Sequence, residues 1–389
     1  MTNITRRSFI IASSLVGSIA VAGCTDTVND NGTQSFDIET VVDGLEHPWS
    51  VEPTGGRQCL VTERTGRLTL VNLDEGSFEV IDGVPKVHVA GQGGLLDVTV
   101  HPAYPDEPWV YLTFSDTNVA GESATHLARG QLEIDTAQLT DVEIIHIAEP
   151  FVDSDNHFGS RIVFGDDEKL YMTSGDRQFK NFGPDHVSQD LSNELGATLR
   201  LEPDGSIPAD NPFNGEQNAS EAIYSYGHRN AQGMAVHPTT GELWQSEHGE
   251  HDGDELNIIT RGGNHGWPIA HYGCQYGSTE PIGDLPHERD DVIEPVYHWE
   301  CTSGGFPPAG MTFYDGDAFS RWQGDLFVGN LAGRYLGHFT VDQQSVEEVD
   351  PLLEDQDWRV RDVSVEPSQG HLLVAIDASS APLVELVPH

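Results

Sequence analysis

Short apolar runs rich in β-branched residues alternate with polar turns along the chain, and one unit of this kind recurs six times. It opens on a β-branched or aromatic residue, passes through a short polar turn that often holds Pro or Gly, and closes in a second apolar run. The copies are VEPTGGRQCLVTE from Val51, VHPAYPDEPWVYLTF from Val100, VFGDDEKLYMTSG from Val163, VHPTTGELWQSE from Val236, FYDGDAFSRWQGDLFVGN from Phe313 and VEPSQGHLLVAID from Val365. Their starts are 49, 63, 73, 77 and 52 residues apart. Each copy reads as a hairpin of strand, turn and strand, and each interval leaves room for two further strands, as in RLTLVNL at 67–73 and ATLRLEP at 197–203. No interval carries a convincing amphipathic helix, which argues against an α/β fold. A β-sandwich has no need of six equivalent hairpins. The pattern predicts an all-β fold, a six-bladed β-propeller with four-stranded antiparallel blades over residues 38–389. The long insertions before the fourth and fifth hairpins are expected as loops on one face, where function concentrates.

In a propeller the first strand of each blade lines a central channel, so residues just upstream of the repeated hairpins converge at one mouth. Gln92 stands in GQGGLLDVTVHP, His157 in NHFGSRIVFG, Arg229, Asn230 and Gln232 in GHRNAQGMAVHP, and Arg359 and Arg361 in WRVRDVSVEP. Any one of these is explained as a satisfied buried polar side chain. Three arginines at one place point instead to an anionic ligand, because guanidinium forks match carboxylates. Arg359 and Arg361, two apart on an extended strand, are expected on one side, facing the channel with Val363 and Val365. His157 is suited to act as a base near neutral pH.

Composition sharpens this. The chain has 63 Asp and Glu against 19 Lys and Arg, a formal net charge of −44, and lysine only at Lys86, Lys169 and Lys180. So negative a field excludes nucleic acid and anionic membrane surfaces as partners. The acids are scattered between strand-like segments, unlike a disordered acidic chain. They fit a folded protein adapted to high salt, where screening removes the self-repulsion. Arginines gathered on one axis are the more informative in such a chain.

Residues 4–23, ITRRSFIIASSLVGSIAVAG, place Arg6 and Arg7 before a short apolar run and read as a twin-arginine export signal. The uncharged run from Ser8 to Cys24 is short for a membrane span. Val21-Ala22-Gly23-Cys24 resembles a lipobox, which would make Cys24 a lipidated mature terminus. We therefore read 1–23 as signal peptide and 24–37 as a polar tether. The protein is expected outside the cell, held to the outer face of the membrane only through a lipid anchor at Cys24. Cys59 lies in an apolar strand and is expected to be buried. Cys274 and Cys301 lie in Gly-rich loops, and in an oxidising compartment they can pair.

A second polar cluster, EHGEHDGDELN at 247–257 followed by GGNHGWP at 262–268, mixes glycines with carboxylates. Hard oxygen donors of this kind suit calcium. His248, His251 and His265 leave zinc open as an alternative, and a plain solvated acidic loop is the bland one.

Several segments, in order, resemble the soluble aldose sugar dehydrogenases of the glucose/sorbosone dehydrogenase family. They are LEHPWSVEPTGGRQCLVTERTGRL, GQGGLLDVTVHP, HFGSRIVFGDDEKLYMTSGDR, QDLSNELGATLRLEPDGSIPADNPF, YSYGHRNAQGMAVHP, SEHGEHDGDELN and GGNHGWP, and the resemblance covers about residues 38–388. It implies a six-bladed propeller with pyrroloquinoline quinone over the channel. Position by position it implies His157 as general base, and Gln92, Arg229, Asn230, Arg359 and Arg361 as quinone contacts, with Tyr276 an aromatic beside the cofactor. It implies Gly249 and Glu250 as backbone ligands of a catalytic calcium, and Glu255 and His265 as a second calcium site. Two positions depart from the family. A lysine frequent in the loop matching NLAGRYL is replaced by Ala332, leaving Arg334 as the nearest cation, and His265 stands where tyrosine is common.

The implied reaction oxidises the anomeric hydroxyl of an aldose to a lactone. His157 takes the proton, Arg229 and calcium polarise the quinone carbonyl, and an external acceptor receives the electrons. No Gly-rich dinucleotide fingerprint follows a strand, so NAD is not expected. Two other classes fit a propeller: a calcium-dependent lactonase, which needs axial Glu, Asp and Asn around its metal where this axis reads as cationic, and a non-enzymatic binder of glycan or protein.

Overall fold

The computed structural model describes residues 34–389. The twin-arginine segment, the lipobox with Cys24 and most of the tether lie outside these residues. The first strand, β1 (Phe36–Leu45), starts two residues inside the stretch read as tether. Six four-stranded antiparallel sheets follow in chain order. Blade one is β2 (Pro48–Gly55), β3 (Gln58–Glu63), β4 (Arg67–Asn72) and β5 (Ser77–Ile81). Blade two is β6 (Leu95–Val100), β7 (Trp109–Thr117), β8 (Ser123–Glu133) and β9 (Gln138–Val152). Blade three is β10 (Ile162–Phe164), β11 (Leu170–Ser174), β12 (Ala197–Leu201) and β13 (Ile223–Tyr226). Blade four is β14 (Ala231–Val236), β15 (Leu243–Glu247), β16 (Glu255–Ile258) and β17 (Tyr297–His298). Blade five is β18 (Pro308–Phe313), β19 (Leu326–Asn330), β20 (Tyr335–Asp342) and β21 (Ser345–Glu348). Blade six is β22 (Val360–Val365), β23 (Leu372–Ile376) and β24 (Ala381–Pro388), completed by β1 pairing with β24. The predicted propeller is the observed one, and all six repeated hairpins are the first two strands of a blade.

The apolar alternation in these strands does not build one central core. It builds six layers, one between each pair of neighbouring blades. Tyr111 and Leu127 of blade two meet Leu170 and Met172 of blade three, and Trp244 and Leu256 of blade four meet Met311 and Val328 of blade five. Around the seam, Val42 and Leu45 of β1 pack with Val51 and Val61 of blade one. Free Cys59 is buried in this layer, as expected. A sheet with two buried faces reads as continuous apolar runs, and the second strands do: QCLVTE, LYMTS and LLVAI are buried almost throughout.

Two features position the site. In five blades the innermost strand slips register near its start, between Pro48 and Ser50, Leu95 and Val98, Ala231 and Gly233, Pro308 and Met311, and Val360 and Asp362. Such bulges re-aim side chains out of strict alternation. The expectation that Arg359, Arg361, Val363 and Val365 form one face is corrected by the slip at Arg361, after which Asp362 also reaches the axis. The second feature is that antiparallel neighbours reverse direction. The start of each innermost strand therefore shares one end of the blade with the close of the second strand. The long insertion before the fourth hairpin is split by β12 into connections at opposite ends, 175–196 and 202–222, so it is not confined to one face.

Candidate active site

Residues from these two kinds of position line a cavity of about 270 Å³ on the axis. Its wall is built from Trp49, Arg64, Gln92, His157, Gln178, Arg229, Asn230, Gln232, His248, Gly249, Tyr276, Leu331, Arg359, Arg361 and Asp377. Trp49, Gln232 and Arg361 sit at the register slips of β2, β14 and β22. A larger cavity, about 740 Å³, opens at the other end of the channel. Between the two lies a buried ionic plug. Arg161 Nη1 is 2.9 Å from Asp97 and 3.2 Å from Asp362, and its Nε donates to the Gln232 carbonyl. The axis is thus not purely cationic, as the sequence suggested, but these two carboxylates are spent on Arg161.

His157 is the chemically pointed residue. Its φ of +47° is a left-handed conformation that few non-glycine residues adopt. Its backbone N–H donates to Gln92 Oε1 at 2.8 Å. Its Nδ1 is 2.6 Å from Asp176 Oδ1, and Nε2 has no protein partner among the described residues. Burial, then the charge of Arg229, push the imidazole below its usual pKa, against the pull of Asp176. Asp176, absent from the sequence-based set, is fully engaged. Oδ1 also accepts from Gln178 N, and Oδ2 accepts from Trp267 Nε1 at 2.8 Å. Burial works to raise its carboxyl, but the bond and charge of His157 and the charge of Arg229 hold it below the usual range.

Arg229 Nη2 lies 2.6 Å from Glu250 Oε2, and Lys180 Nζ lies 2.6 Å from the same carboxylate. Arg229 Nε is buried and finds no acceptor among the described residues. Asn230 Oδ1 accepts from Gly159 N, holding the turn after His157. Arg359 and Arg361 each place Nη2 3.2 Å from Asp377 Oδ2. Burial opposes the charge of Asp377, yet Arg361 and His47 hold its carboxyl far below the ordinary value. Gln232 Oε1 sits 3.1 Å from both Arg361 Nη1 and His248 Nε2. Tyr276 is 66% exposed and stands at the rim. Its loop is tied by the Cys274–Cys301 disulfide, so the two loop cysteines do pair.

Other sequence candidates lie apart. Arg334 turns to Asp357 and does not line the cavity. Gly249 is part of the wall and Glu250 is buried behind it, and neither backbone carbonyl accepts a hydrogen bond from the described residues. Glu255 and His265 are buried away from the wall. Burial pushes the Glu255 carboxyl well up, and the His265 ring stacks on His228 with both nitrogens unpartnered among the described residues. Among the described residues no three His, Cys, Asp or Glu side chains gather as a metal set, so His248, His251 and His265 do not form a zinc site.

Comparison with known proteins agrees with this geometry. A family profile described as glucose/sorbosone dehydrogenase matches residues 45–385. The aldose sugar dehydrogenase YliI of Escherichia coli is 34% identical over 388 residues, covering 98% of this chain and 99% of that protein. The crystal structure of the soluble aldose sugar dehydrogenase of E. coli in its apo form superposes with a TM-score of 0.84 at 33% identity, over 91% of this chain and 100% of the other. The pyrroloquinoline quinone-bound aldose sugar dehydrogenase of Streptomyces coelicolor gives 0.74 at 26% identity, over 91% and 99%. With its six-bladed fold and its axial cluster of His157, Arg229 and Arg361, the chain belongs to the glucose/sorbosone dehydrogenase family.

Proposed function

We propose that this protein oxidises the anomeric hydroxyl of aldose sugars to lactones, with pyrroloquinoline quinone held in the axial cavity and calcium beside it. The observation that carries this reading is the cavity wall, where four arginines face one carboxylate, Asp377, in a chain of net charge −44. Such a wall suits a ligand with several carboxylates. Arg229 Nε, buried without an acceptor, offers it a further donor. For calcium, the support is the pair of backbone carbonyls of buried Gly249 and Glu250, which accept no hydrogen bond from the described residues and are hard oxygen donors of the right class. Glu255, whose burial disfavours its charge, and the unpartnered His265 would be relieved by a second cation.

The quinone, when bound, supplies the acceptor for the hydride leaving C1, and calcium the Lewis acid. The chain supplies position and proton handling. Asp176 accepts the Nδ1 proton, which leaves the lone pair on Nε2 to take the proton of the anomeric hydroxyl. The lowered imidazole pKa keeps that lone pair free at neutral pH. Arg229, fixed by Glu250, presents its guanidinium to developing negative charge. The export signal and Cys24 would deliver this chemistry to the outer face of the membrane, where an external acceptor collects the electrons. The test is direct. Protein stripped of ligands is titrated with the quinone and calcium in molar salt, and aldose-dependent dye reduction is followed. Activity requiring both additions is expected; bound quinone without aldose oxidation overturns the reading.

A further inference from the structure

The three arginines that the sequence brings to the axis all come with carboxylates already attached: Arg229 with Glu250, and Arg359 and Arg361 with Asp377. A fourth, Arg64, does not. Among the described residues it is the one arginine whose side chain has neither a hydrogen bond nor an ion pair. In a protein with more than three acidic groups for each basic one, a guanidinium left unpaired by chance is improbable in the interior of a cavity. Lys86 is also without a partner, but it stands on an exposed loop, where water suffices. Arg64 is half-buried and forms part of the cavity wall together with Trp49, Gln92 and Arg361.

The backbone holds Arg64 there from both sides. It is the first residue after β3; its N–H donates to the His47 carbonyl at 3.0 Å, and its own carbonyl accepts from Leu95 N at 3.2 Å. The side-chain stem lies directly against Gly94. A Cβ on Gly94 would come 1.9 Å from the Arg64 carbonyl oxygen and 2.8 Å from its Cγ, and Gly94 itself has φ +144°. Any side chain at this position of the GQGG motif would collide with Arg64. The glycine thus makes the path along which the arginine reaches the cavity.

We infer that Arg64 is a ligand-contacting residue, donating charge-assisted hydrogen bonds to a carboxylate of the bound quinone. The inference rests on the function proposed above. Because the Arg64 side chain pairs with no group of the described residues, all of its guanidinium hydrogens are available to the ligand, whereas the arginines paired with Asp377 and Glu250 must share theirs. Its contribution to binding should therefore be large for a residue that adds little to folding.

The test compares wild type, Arg64→Met and Arg64→Lys in molar salt with calcium. Methionine keeps an unbranched stem against Gly94 and removes the guanidinium. Binding is read by the absorbance of the quinone itself, with no turnover required. Two probes are used: pyrroloquinoline quinone, and an uncharged phenanthroline quinone that has no carboxylate. The expected result is about ten- to hundredfold weaker binding of the carboxylated quinone by Arg64→Met, the scale of one or two charge-assisted bonds. Arg64→Lys should fall between, and the uncharged quinone should bind all three proteins alike. Equal affinity of wild type and Arg64→Met for the carboxylated quinone, with melting temperatures unchanged, overturns the inference and leaves the proposed function standing. Failure of wild type to bind it at all overturns both.

Discussion

Asp176 Oδ1 lies 2.6 Å from His157 Nδ1, and that contact decides which nitrogen of the imidazole is free. Nδ1 carries the proton, and the unpartnered Nε2 carries the lone pair. His157→Gln should keep the fold and quinone binding, yet lower turnover by about 100-fold or more, the usual loss for a general base. Asp176→Asn should also lower kcat, through the wrong tautomer, with a smaller effect on quinone affinity. Near-normal aldose oxidation by His157→Gln would remove the base assignment.

The acid limb of kcat/KM reports the protonation of His157. Burial and Arg229 lower its pKa, so the basic form persists to more acidic pH than for a free imidazole, whose value is about 6.5. Activity should be flat through neutrality and fall only below that value. A pH-rate profile with its acid limb above 7 would contradict the assignment.

Asp377 is pinned by two arginines, and removing them has two separable effects. Arg359→Ala with Arg361→Ala should weaken quinone binding by about 100-fold or more, the order expected from two lost charge-assisted bonds. It should also lower the melting temperature, because a largely buried carboxylate then loses both arginines and keeps only His47. Adding Asp377→Ala should recover stability but not affinity. Unchanged affinity in the double variant, with the fold intact, would count against the anion site.

A formal charge of −44 needs counter-ions. Circular dichroism should show loss of strand signal on dialysis from molar salt to dilute buffer, as screening fails. A spectrum that does not change would show that the acidic surface is not a salt adaptation.

The disulfide closes a loop of 27 residues that carries Tyr276. Changing Cys274 and Cys301 to Ser should cost about 3.5 kcal/mol of stability by loop-closure entropy. Differential scanning calorimetry of the two forms checks this.

Much of the molecule was legible in the sequence because a propeller repeats. The six hairpins could be found by their common shape, and residues upstream of them converge because each innermost strand starts at the same mouth. Gln92, His157, Arg229, Asn230, Gln232, Arg359 and Arg361 all precede or open a first strand and were legible in that way. Arg64, Asp176 and Asp377 were not, for a physical reason: they follow the second strand of a blade rather than precede the first. Reversal of strand direction brings both positions to one end, so the same repeat register, read at the close of TERTG, TSGDR and AIDAS, would have found them. Trp49 was hidden differently. It sits at a register slip, and a slip cannot be seen in a period-two pattern. Arg334, the nearest cation to the altered loop, was misleading because nearness in sequence says nothing of side-chain direction.

The pairing of β1 with β24 has a consequence for how the molecule comes into being. Among the described strands, the outer strand of the last blade is the first to be synthesised and its partner the last. Throughout translation, then, β1 offers an unsatisfied edge, and the layer it shares with blade one stays half-built until the final eight-residue strand emerges. The ring has no partial form in which every edge is matched. A chain cut short before Ala381 should be caught by quality control or by aggregation rather than persist as a smaller propeller, which makes ring closure itself the checkpoint for folding.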